Sequence, residues 1–215
     1  MKKGIGVFSA LLLLAAFMPS PLTAGVDFDL GVKGGLSLSK NVWSNGPTSG
    51  TLPKPVVGAF FSLNLNKTLA IQPEIYFLMA GGRDMDIVGM PYDRWDNVET
   101  FIHFPVLAKA RLIREGKWTP VVFAGPAANI LLSAKNKTYL DGVLISEQDL
   151  PESYGVKTLT FSLVSGGGAE WMLNNKMILI FDIRYTLMLT KLNGEAFEEG
   201  SWKNNALMFM LGVGF

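Results

Sequence analysis

Beyond about residue 25 the chain alternates apolar and polar residues with period two, the signature of strands whose two faces meet different surroundings. The pattern is cleanest over 177–190. There Met177, Leu179, Phe181, Ile183, Tyr185, Leu187 and Leu189 alternate with a face carrying Asp182, Arg184, Thr186 and Thr190. Eight such segments are read: 26–39, 56–66, 70–80, 98–112, 118–133, 158–173, 177–190 and 205–215. In the first, Phe28, Leu30, Val32, Leu36 and Leu38 share a face; in the last, Leu207, Phe209, Leu211, Val213 and Phe215 do. None of the eight apolar faces carries a charge, although charged residues make up 17% of the chain. Such exclusion is what lipid demands, because Lys or Arg at mid-bilayer costs about 2–4 kcal/mol.

The connections alternate as well. Short turns are expected near Asn66-Lys67, Arg114-Glu115-Gly116 and Asn174-Asn175-Lys176, and long polar loops over 40–55, 81–97, 134–157 and 191–204. Short turns on one rim and long loops on the other, with strands long enough to cross at a tilt, predict an all-β fold: an eight-stranded antiparallel up-and-down transmembrane β-barrel. Trp43, Trp95 and Trp202 fall near the long-loop rim, Trp118 and Trp171 near the short turns, as two interfacial girdles would require. Pro73, Pro105, Pro120 and Pro126 interrupt the proposed strands. Pro73 and Pro120 lie near the short-turn rim, and bulges are expected at Pro105 and Pro126.

The first residues have a different character. Lys2 and Lys3 precede a short apolar run, Ile5 to Phe17, followed by Pro19, Pro21 and a small residue at Ala24. This pattern predicts a cleaved signal peptide over 1–24 and a mature barrel over 25–215; the alternative, an uncleaved membrane helix, would need a longer run. No later apolar run is long enough for a membrane helix. Nineteen Lys and Arg against 18 Asp and Glu give a net charge of +1, which argues against nucleic acid as a partner. With no cysteine and one histidine, His103, neither a metal nor another cofactor is expected.

The charged residues excluded from the outer faces gather on the inner ones: Asp29, Lys33, Glu74, Lys109, Arg111, Glu170, Asp182 and Arg184. An eight-stranded barrel is just wide enough for its side chains, so these are read as a paired structural network that fills the interior, with Glu74 expected to meet Lys109 or Arg111. An ion path is the competing reading. His103 is expected to point inward, and nothing in the spacing draws Ser37 or Ser162 to it, so no catalytic residue is assigned. Gly166-Gly167-Gly168 lacks the Lys-Ser/Thr of a phosphate loop and reads as a place of tight strand curvature or as room for a large neighbour.

Leu30-Gly31-Val32-Lys33-Gly34-Gly35-Leu36-Ser37, Gln72-Pro73-Glu74-Ile75-Tyr76, Phe104-Pro105-Val106-Leu107-Ala108-Lys109, Phe123-Ala124-Gly125-Pro126 and Asp182-Ile183-Arg184-Tyr185 together resemble the Gram-negative "porin family" outer-membrane barrel domain, PorT-like group. The resemblance spans nearly the whole mature chain and implies a location in the bacterial outer membrane. It also implies that Phe215 is read by the outer-membrane assembly machinery, and it allows a role in a secretion or assembly system.

The leading expectation is a non-enzymatic barrel in contact with outer-membrane lipid, structural or binding through its loops. Arg83, Tyr92, Arg94 and Trp95 form a possible recognition surface for an envelope or protein partner. A small-solute channel, a lipocalin-like soluble carrier and a lipid-modifying enzyme are the other readings.

Overall fold

The computed structural model describes residues 27–85, 93–112, 117–150, 155–174, 177–193 and 200–215. The expected signal peptide, Tyr92 and the turn at Arg114-Glu115-Gly116 lie outside the described residues. Nine strands follow one another: β1 (Asp27–Trp43), β2 (Leu52–Asn64), β3 (Leu69–Met85), β4 (Arg94–Arg111), β5 (Trp118–Leu140), β6 (Val143–Asp149), β7 (Leu159–Asn174), β8 (Met177–Met188) and β9 (Trp202–Gly214). All but β6 pair antiparallel in a ring, each with its neighbours, and β9 closes the ring on β1 from Gly31↔Gly214 to Trp43↔Trp202. Beyond that ladder, Leu30 and Phe215 exchange two backbone hydrogen bonds of 3.0 and 2.7 Å. The eight alternating segments are the eight strands of this ring.

The outer surface of the ring is apolar. Phe28, Val32, Val57, Leu132, Phe161 and Leu211 are exposed on it, while Lys33, Glu74, Lys109, Asp182 and Arg184 on the inner rows are buried. A surface of this kind is stable in lipid and would be costly in water. Trp118 and Trp171 stand half-exposed beside the short turns, in edge contact at 5.8 Å between ring centroids. The opposite rim departs from the expected girdle. Trp202 is 1% exposed and packs on Trp43 at 5.0 Å, inside the mouth of the barrel. Strand parity is the reason: Trp202 shares its face with the buried Met208 and Met210, not with the outward Phe209 and Leu211.

The bulges expected at Pro105 and Pro126 are absent. Pairing lapses between Pro105↔Ala127 and Ala108↔Ala124 and resumes in the same register, and Pro126↔Leu163 continues the β5–β7 ladder unshifted. A proline omits a donor but keeps the backbone extended, so a ladder bond is lost without a slip. The irregularity in this wall lies between Thr100 and Phe101, which pair with Ser133 and Leu131 and leave Leu132 as the extra residue.

The second departure is the loop expected over 134–157. Instead β5 runs on to Leu140 and β6 folds back along it. Asp141 and Gly142 turn the chain with φ of 51° and 78°, the pair of positive values that a two-residue hairpin with matching twist requires. Gly166 and Gly168 serve packing. A Cβ at Gly166 would run into the Ile183 carbonyl and the Phe123 ring, and one at Gly168 into the Phe181 carbonyl beside the Asp182 carboxylate.

Candidate functional site

The lumen is packed with side chains in layers. Nearest the short turns is a charged layer. Lys33 on β1 donates to Glu74 on β3 at 3.2 Å and to Asp182 on β8 at 2.7 Å. Arg184, two residues along β8, donates to Glu74 at 2.6 Å and to Asp182 at 2.7 Å. Two cations and two carboxylates thus form a closed square across the barrel, each side chain no more than 2% exposed. Arg184 also lies over the Tyr76 and Phe123 rings, and Lys33 over Phe60.

A second group of the same charged layer sits closer still to the short-turn rim. Lys109 and Arg111 on β4 both pair with Glu170 on β7; the Arg111 Nε–Glu170 Oε2 distance is 2.9 Å. Arg111 also donates to the Asn64 amide oxygen at 2.9 Å and stands 3.5 Å from Asp29. Glu74 therefore pairs with Lys33 and Arg184, not with Lys109 or Arg111. Gln72 links the two groups, accepting from Lys109 at 2.8 Å and donating to Glu74 at 2.6 Å. Asn64 and Gln72 are neutral members that an inspection for charge passes over.

Above the charges is an apolar layer of Val56, Tyr76, Leu78, Phe101, Met208 and Met210, roofed by Leu192 and Trp202. His103 is buried at its side. Its Nδ1 lies 2.6 Å from the Asn129 Oδ1, which also accepts from the Ser162 hydroxyl at 3.3 Å, so Asn129 joins His103 and Ser162 in one network without placing them in contact. The network holds one edge of the imidazole; on the other, the buried His103 Nε2 has no hydrogen-bond partner among the described residues. At the mouth, Asn41 donates to the buried Glu99 at 3.2 Å and accepts from Asn204 at 2.9 Å.

At the long-loop end, β3, β4, β5 and β6 continue as a four-stranded sheet. The register sets Arg83, Asp96, Lys137 and Glu147 in one row across it. Arg83 takes both oxygens of the buried Asp96, at 2.7 and 2.9 Å. Glu147 is held by Lys135 at 2.7 Å and Lys137 at 2.9 Å; the hydrogen bonds from Lys135 and Lys137 pull its carboxyl down to about 2. Arg94, in the next row, lies 3.6 Å above the Tyr139 ring centroid. Of the expected recognition residues, Arg83 and Arg94 share this face, while Trp95, between Arg94 and Asp96 on β4, belongs to the opposite one.

Among the described residues no three His, Cys, Asp or Glu side chains group in a way that could hold a metal ion. No curated protein matches the chain. Three solved structures are similar to it. Neisserial surface protein A is 11% identical, covering 89% of this chain and 98% of its own, with a TM-score of 0.51. Outer membrane protein W of E. coli is 10% identical over 90% and 99%, with a TM-score of 0.46. Ail, the attachment invasion locus protein of Yersinia pestis, is 12% identical over 88% and 99%, with a TM-score of 0.42. At such identities the likeness is one of fold. A family model described as an outer membrane protein beta-barrel domain matches residues 23–194, a coarser identity than the PorT-like group. With that match over most of the ring, and the ring closed as a lipid-compatible barrel, the chain belongs to the outer membrane protein β-barrel domain family.

Proposed function

We propose that the protein is a sealed outer-membrane barrel, neither channel nor enzyme, whose task is to hold the sheet at its long-loop end in place for binding. The buried square of Lys33, Glu74, Asp182 and Arg184 carries this reading, because it ties β1, β3 and β8 together across the lumen. A charge that lined a conducting path would keep part of its hydration; these side chains spend theirs on one another. The apolar layer above them adds a second closure. Against an enzyme stands the setting of His103, which is buried and engaged with a neutral amide instead of an orienting acid.

Recording from planar bilayers tests the sealing. The expected result is no steady conductance above background at either polarity. A large, steady ohmic current from the purified barrel would overturn the proposal and favour a solute channel.

A further inference from the structure

From the face that carries Arg94 and Tyr139, we infer a binding site for a phosphate- or sulfate-bearing anion at the barrel mouth, with Lys54 and Arg94 as its principal donors. The inference rests on reading the long-loop sheet as the binding element, and goes beyond it by naming the ligand chemistry.

The argument is one of unspent charge. Five cations gather on or against this face: Lys54, Arg83, Arg94, Lys135 and Lys137. Among the described residues of this face the acids that accompany them are Asp96, Glu147 and Asp149. Asp96 is used up by Arg83, which occupies both of its oxygens. Glu147 is used up by Lys135 and Lys137, one on each oxygen. Asp149 acts on Lys135.

Among the described residues, Arg94 and Lys54 are the cations left without a full partner: Arg94 has only a long ion pair to an Asp96 already held by Arg83. Arg94 stands with its Nε 3.6 Å from Asp96 Oδ1, beyond hydrogen-bond reach, and that Nε is buried with no hydrogen-bond partner. Lys54 is half-buried and makes neither hydrogen bond nor ion pair among the described residues. The charges acting on it are Asp96 and three other cations, Lys137, Arg83 and Arg94.

Partly desolvated cations that repel one another cost free energy, and an oxyanion bridging them recovers it. The Arg94 guanidinium carbon lies 3.6 Å from the Tyr139 ring centroid, a contact that restrains its donors ahead of binding. The site opens from the aqueous side. Lys54 lies on the inward row of β2 with the buried Leu52 and Val56, while the exposed Pro53 and Pro55 face outward. On β5, Lys137 stands five residues, roughly 16 Å of extended strand, beyond Leu132 of the lipid-facing row. A soluble anion reaches this face; a headgroup of the surrounding bilayer meets the other one.

The test uses the full barrel in phosphatidylcholine nanodiscs, titrated calorimetrically with inorganic pyrophosphate. Saturable one-to-one binding is expected. Lys54→Met and Arg94→Gln should each weaken it about tenfold, Lys54→Arg should retain it, and Lys67→Gln at the opposite end should change nothing. Unaltered heat-shifted migration on gels shows that each variant is folded. No saturable heat up to about 10 mM pyrophosphate, or equal losses in Lys67→Gln and Lys54→Met, would overturn the site. A phosphatidylglycerol fraction in the nanodisc should leave the affinity unchanged. Competition by that lipid, abolished in Arg94→Gln, would make the ligand a headgroup and overturn the aqueous assignment. A failure here with no conductance in bilayers would leave the sealed barrel standing, so the two readings fall separately.

Discussion

Arg184 shows what a single residue contributes to this interior. Both Glu74 and Asp182 accept from it, and its side chain is fully buried. Removing it leaves two buried carboxylates sharing Lys33, and stranding a buried charge typically costs about 3–5 kcal/mol. Arg184→Met should therefore lower stability by about that much in urea titrations of the refolded barrel. Arg111→Met should cost clearly less, since Glu170 keeps Lys109 and the Arg111 side chain is 10% exposed. Equal losses in the two variants would contradict the closed square. The inward rows that carry these charges can be read from alternation alone. Which charge meets which cannot, because Lys33, Glu74 and Arg184 come from β1, β3 and β8 and meet only once the ring closes. The neutral amides Asn64, Gln72 and Asn129 escape notice for another reason: nothing in their spacing separates them from solvated polar residues.

At the level of the element, the ring strands were legible because lipid outside and packed side chains inside impose unlike faces, and unlike faces leave a period of two. The β6 hairpin was not. Nearly every residue of β6 is exposed, so neither face selects for polarity, and Val143, Leu144 and Ile145 follow one another without alternation. The remaining signal was the Asp141-Gly142 pair, a strong hairpin turn when flanked by strands. Trp202 shows the complementary error, since its height along the strand suggests a girdle while its parity places it inside. The hairpin has its own pH dependence. The carboxyl of Glu147 lies near 2 when bonded to Lys135 and Lys137, below its ordinary value of 4.5. A depressed carboxyl contributes stability above its ordinary value and loses it as pH falls through the folded one. Amide exchange of 135–149 should therefore accelerate from about pH 4.5 down to about 2, corrected for intrinsic rates, and Glu147→Gln should remove that dependence. Being exposed, the pairs should shift the hairpin and not the ring. Uniform acceleration across β1 and β9 would mean that the acid transition belongs to the barrel.

For the molecule as a whole, the decisive contact is the seam. Leu30 and Phe215 are joined through their backbones, while Phe215 as a residue is 62% exposed, on the lipid-facing row. The seam is therefore held by the backbone of Phe215, and its ring is left free for a separate role. The two seam hydrogen bonds need only the main chain, which any residue but proline supplies. The ring touches little of the folded protein, so its contribution in lipid is at most that of a surface anchor, on the order of 1 kcal/mol. Phe215→Ala should therefore refold from urea into lipid vesicles with nearly the parent yield and the same heat-shifted migration. If the assembly machinery reads the aromatic residue, as the family resemblance implies, the same variant should accumulate several-fold less in outer membranes when expressed in cells. Phe215→Tyr should recover most of the loss. A variant that failed equally in vesicles and in cells would place the ring in the folding of the seam itself, and recognition of Phe215 would lose its support.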